Sequence, residues 1–96
     1  MKNQKNVTVI KMIEKSEGDI SYTYTLFFER SGKVASFGLP LYSIKVEMIK
    51  DGVTTERILK EIFSDIGKAN VFFEMLADNL ATPIDLPYIL EDKITV

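Results

Sequence analysis

Between Tyr42 and Met48 apolar and polar side chains alternate without a break. Tyr42, Ile44, Val46 and Met48 point one way, and Ser43, Lys45 and Glu47 point the other. A period of two describes a strand with one buried and one wet face. Asp51-Gly52 follows at once, a pair that tolerates the positive φ of a two-residue hairpin turn. The chain must therefore double back, and the return strand is placed from Val53 to about Ile62. Thr54, Thr55, Ile58 and Ile62 favour that strand. On propensity alone Ile58 to Phe63 would also suit a helix, but the turn before it demands a pairing partner.

The same reading extends upstream. Val7 to Ile13 is β-rich, and Ser16-Glu17-Gly18-Asp19 after it is a turn cluster. From Ile20 to Glu29, Tyr22, Tyr24, Leu26 and Phe28 share one face while Thr23 and Thr25 share the other. These two runs form a second antiparallel hairpin. Lys33 to Phe37, ended by Gly38 and Pro40, is a candidate fifth strand.

Periodicity changes at Ser64-Asp65. Ser64 is a good N-cap residue, and Asp65 would place negative charge where the helix dipole favours it. Ile66, Ala69, Phe73, Leu76 and Leu80 recur at spacings of three and four, with Phe72 beside them. The spacing predicts a long amphipathic helix of about four turns, stopping by about Ala81 because Thr82 precedes Pro83. Asp85 would cap a short second helix from Leu86 to about Asp92, with Pro87 tolerated in its first turn. The expected fold is α+β: an antiparallel β-meander of four or five strands, then a long helix and a short one packed on one face. The 96 residues form a single domain, without a linker, internal repeat or low-complexity stretch.

The residues that are missing narrow the chemistry. The chain has no histidine and no cysteine. No Ser-His-Asp triad, Cys-His pair, disulfide framework or zinc site of ordinary composition is available. The five glycines, at 18, 32, 38, 52 and 67, never approach a phosphate-cradling loop. No cofactor and no enzymatic activity are expected. The apolar run at Val7–Ile13 is too short and polar for an export or spanning segment, so cytoplasmic placement without a membrane is expected.

Carboxylates are the only plentiful acid–base groups, and charge is unevenly spread. Residues 1–60 carry ten Lys/Arg against seven Asp/Glu, whereas residues 61–96 carry two against seven. The ordinary explanation is weak attraction between the halves of one monomer. The sharper one is an acidic surface, with Asp78, Asp85, Glu91 and Asp92 as candidate protein-interaction residues. Glu91 and Asp92, as helix neighbours, diverge by about 100° and do not converge on one ligand. A net charge of −2 makes nucleic acid an unfavoured partner. Tyr22 and Tyr24 beside Phe28, with Arg30, Lys33 and Lys45 nearby, could stack bases, but burial beneath the helix is the expected fate.

Simple alternation along the first strand puts Val7, Val9 and Ile13 on one face and Ile10 and Met12 on the other. Leu26-Phe27-Phe28 is two-sided as well. One helix cannot cover both faces of a sheet: either the sheet curls and the short second helix covers part of the back, or a second subunit does, and a homodimer is the favoured expectation. The leading expectation is a non-enzymatic protein-interaction or regulatory module with an unidentified protein partner. The alternatives are a nucleic-acid-binding accessory protein and a small-ligand binder or enzyme working with carboxylates.

Tyr42 to Glu47, the Ile62-Phe63-Ser64-Asp65 lead, Leu76-Ala77-Asp78-Asn79, and Thr82 to Leu86 with Leu90-Glu91-Asp92 behind them together carry a resemblance. Over residues 42–92 the chain resembles a family of short, uncharacterised Firmicutes proteins of clostridial type, a domain of unknown function. The resemblance implies a small α+β protein of bacterial cytoplasm and brings no activity with it. The family pattern often has histidine where this chain has Asp85, so no imidazole role carries over.

Overall fold

At the tip of the second hairpin Asp51 and Gly52 have φ of 54° and 77°. Two positive values make the turn whose twist matches antiparallel strands. The computed structural model describes residues 6–30 and 41–89 of the chain. It holds β1 (Asn6–Glu17), β2 (Ile20–Arg30), β3 (Tyr42–Lys50), β4 (Val53–Phe63) and α1 (Ile66–Asp78). The strands form one antiparallel sheet in the order β1-β2-β3-β4, the expected meander. The candidate fifth strand, Lys33–Phe37, lies outside the described residues.

Both hairpins run longer than their apolar cores. β1 continues through Glu14, Lys15 and Ser16 because each faces a residue of β2, ending at Glu17 opposite Ile20. Gly18, at φ 60°, begins the tight turn between them.

The face of the sheet turned to α1 is the one that the alternation marks. Tyr24, Leu26, Ile44 and Val46 are fully buried against Phe73 and Leu76. Directly paired residues share a face. Register therefore adds Ile13 opposite Tyr24 and Leu59 opposite Ile44, both packed on the same core.

Register also corrects the two-sided reading of β1. Val9 faces Phe27 but Lys11 faces Leu26, so Ile10 is an extra residue in a β-bulge. Beyond it the parity of the strand inverts. Val7, Val9 and Met12 share the outer face, and Lys11 and Ile13 turn toward the helix. A second irregularity lies between β3 and β4, where Tyr42 faces Phe63 and Ile44 faces Leu59. There Glu61 takes φ 53°, and its N–H donates to the Ser43 hydroxyl at 2.8 Å. Each edge strand thus carries a kink, a device that discourages edge-to-edge pairing.

The helix is shorter than its periodicity suggests: 13 residues instead of about four full turns ending near Ala81. Its N-cap is Asp65, not Ser64. The Asp65 carboxylate accepts from the N–H groups of Gly67 (2.7 Å) and Lys68 (3.3 Å). At the other end Leu80 adopts φ 52°, its N–H donates to Ala77, and the Ala81 N–H reaches Leu76 at 3.0 Å. This is a Schellman stop. Glycine normally fills that position, so Leu80 gave no warning in the sequence. Ile66, placed on the buried face by spacing, is exposed at the first turn, while Ala77 takes a core place.

A short helical turn follows over residues 86–89, and the rest of the expected second helix lies outside the described residues. Thr82 and Asp85 bond to each other across the turn that leads into it. The Asp85 N–H approaches the Thr82 hydroxyl at 3.3 Å, and the Thr82 N–H approaches the Asp85 carboxylate at 3.4 Å. Pro83 is buried within the turn that precedes the helix. The Ile89 N–H donates to the Asp85 carbonyl at 3.0 Å, so Asp85 stands at the position before the helical turn, as expected, while its carboxylate accepts from Thr82 instead of a helical N–H.

Candidate interaction surfaces

Two of the four acidic candidates, Asp78 and Asp85, lie among the described residues. Asp78 is the exposed last residue of α1, and Asp85 is exposed with its carboxylate accepting from the Thr82 N–H. Glu91 and Asp92 lie outside the described residues. Among the described residues, no group of three or more acidic side chains is placed to hold a metal ion. No helix there is long and apolar enough to cross a membrane.

Tyr22 and Tyr24 are committed to the core. Tyr22 and Tyr24 stack at 6.2 Å between ring centroids, both buried beneath the helical layer. The Tyr24 hydroxyl donates to the Ala81 carbonyl at 2.8 Å. Burial, then the neighbouring Tyr22, pushes its ionisation above the ordinary phenol range. Neither ring is open to stack a base.

An ion pair joins sheet to helix. Lys11, turned inward by the bulge, reaches Glu74 on α1 and lies 3.4 Å from Asn70 Oδ1. The Lys11 hydrogen bond, then its charge, holds the Glu74 carboxyl below its ordinary range. Across the gap between sheet and helix this pair stands where simple alternation would have put an apolar side chain.

The outer face of the sheet is apolar on one side and acidic on the other. Val7, Val9 and Met12 are exposed around Phe27, itself 8% exposed, and Ile58 lies at the far edge. One row further along, register aligns Glu14, Thr23, Glu47 and Glu56 across all four strands. Glu47 directly opposite Glu56 is a like-charge pair, relieved by Lys45 at 3.4 Å from Glu56. A salt bridge this exposed is a small contribution.

A second surface escaped the sequence reading. Between the end of β4 and the outward flank of α1 runs a groove of about 440 Å³. It is lined by Phe63, Gly67, Lys68, Val71, Phe72 and Met75. Val71 stands on its rim at 70% exposure. The strong signal at Ile66, Ala69, Phe73 and Leu76 hid a weaker one on the same helix, Val71 with Met75.

No curated protein and no solved structure matches the chain. The model of one family matches residues 3–96, nearly the full length and well beyond residues 42–92. The chain belongs to that family, the Family of unknown function (DUF6514).

Proposed function

We propose that this domain is a non-enzymatic protein-interaction module of the bacterial cytoplasm, and that it self-associates. The observation behind the protein-interaction part of this reading is the outer face of the sheet. Val7, Val9 and Met12 gather in one apolar patch only because the bulge at Ile10 aligns them. Scattered apolar residues need no explanation, but a contiguous patch framed by charge is the usual mark of a docking surface. The burial of Tyr22 and Tyr24 removes the main support for a nucleic-acid reading.

The test combines association and capture. Sedimentation of the purified full chain over a concentration series measures self-association. Capture from native lysate compares the unaltered chain with Val9→Glu and Met12→Glu, whose folding is checked by circular dichroism. A protein retained by the unaltered chain and lost with both variants supports the reading. A chain that stays monomeric and enriches RNA instead overturns it.

A further inference from the structure

Lys68, Val71, Met75 and Asp78 run down the flank of α1 that borders the groove. Lys68, Val71 and Asp78 are exposed, and Met75 is half-buried. Their spacings are three, four and three, the interval of a helix–helix seam. That sequence of intervals is the same read in either direction. A second α1 laid antiparallel, about a two-fold axis level with Phe73, would set Val71 against Met75 of the other copy. Lys68 would then face Asp78 of the other copy, and each contact would occur twice.

The charges argue for that occupant independently. α1 has no acidic residue in its first turn and no basic residue in its last. Lys68 near the start and Asp78 at the end oppose the helix's own dipole. Beside an antiparallel neighbour both signs become favourable, since each charge lies next to the opposite terminus of the other helix. We propose that the groove beside α1 receives α1 of a second copy of this chain, making an isologous antiparallel dimer. This deepens the self-association reading by assigning its surface.

The other routes to a dimer are weaker. Both edge strands are kinked by irregularities. Stacking outer faces about an axis along the strands would set the Glu14, Glu47 and Glu56 row against itself. The helix is about 20 Å long. Its seam therefore falls in the small-interface class, below about 1,200 Å² in total, where association is reversible and depends on concentration.

The test is sedimentation equilibrium of the full chain, unaltered and as Lys68→Asp, Asp78→Lys and the double variant. All positions are surface ones, and circular dichroism verifies the helix. Each single swap should weaken association roughly fivefold or more by facing like charges across the axis, and the double swap should restore it. Because the chain lacks cysteine, Val71→Cys mixed with Met75→Cys should form a disulfide-linked pair faster than either variant alone. A dimer indifferent to the swaps and the cysteine pair overturns this assignment and leaves self-association standing. A chain monomeric at every concentration overturns both.

Discussion

The hydroxyl of Tyr24, in the second strand, donates to the backbone carbonyl of Ala81, 57 residues further along, at 2.8 Å. Ala81 follows the left-handed residue that ends α1, so its carbonyl has left the helical ladder and needs a partner inside the core. The same tyrosine packs its ring under the helix and ties down the segment that leaves it. One side chain thus supplies both the apolar floor and the polar anchor of the second layer.

Removing that hydroxyl should be felt. Tyr24→Phe leaves a buried carbonyl without its donor and should destabilise the domain by about 1–2 kcal/mol, measured by urea unfolding. The variant should also change the alkaline limb. The raised ionisation of Tyr24 means that the unfolded chain releases this proton first. Its contribution is whole below about pH 10 and is lost as pH rises further. The phenylalanine variant should lose stability less steeply above that point.

Asp65, not Ser64, should carry the helix start. Asp65→Ala should lower stability by about 1 kcal/mol, because two N–H groups at the helix start lose their acceptor. Ser64→Ala, away from those donors, should stay within about 0.5 kcal/mol. Equal losses from both substitutions would contradict the cap geometry.

Glu61 holds a left-handed conformation that costs a residue with a Cβ about 1–2 kcal/mol. Glu61→Gly should therefore stabilise the domain by roughly 0.5–1 kcal/mol after the extra entropy of glycine in the unfolded chain. Ser43→Ala should act the other way, by about 1–3 kcal/mol, since the Glu61 N–H at the irregularity loses its acceptor. Leu80 has a similar φ but packs on the core, so Leu80→Gly should gain nothing. Thermal melts of the three variants give the comparison.

The pairing of Lys11 with Glu74 is best read by titration. Glu74 should ionise below the ordinary glutamate range in the unaltered chain and return toward it in Lys11→Met, followed by carboxyl NMR. With its folded pKa depressed, Glu74 stabilises the fold above its unfolded pKa, and that contribution disappears as pH falls through the folded value. High salt should shrink the difference between the two chains, since both side chains are partly exposed.

Local chemistry in the sequence was enough for the strands, both hairpin turns and the face that meets the helix. Period-two alternation at Tyr42–Met48 and Tyr22–Phe28 names its own buried side, and Asp51-Gly52 tolerates a conformation that few residue pairs accept. These features act over a few residues, so they are legible before any tertiary contact is known. The parity of β1 and the end of α1 depended on partners elsewhere. Ile10 becomes a bulge only when β2 supplies a register, and that step decides which side Val9, Lys11 and Met12 face. Leu80 accepts a strained φ because it packs on the core, and Ala81 is held by Tyr24 from across the sheet. The groove beside α1 exists because Phe63 arrives at its edge, a meeting of strand end and helix flank that no local pattern encodes.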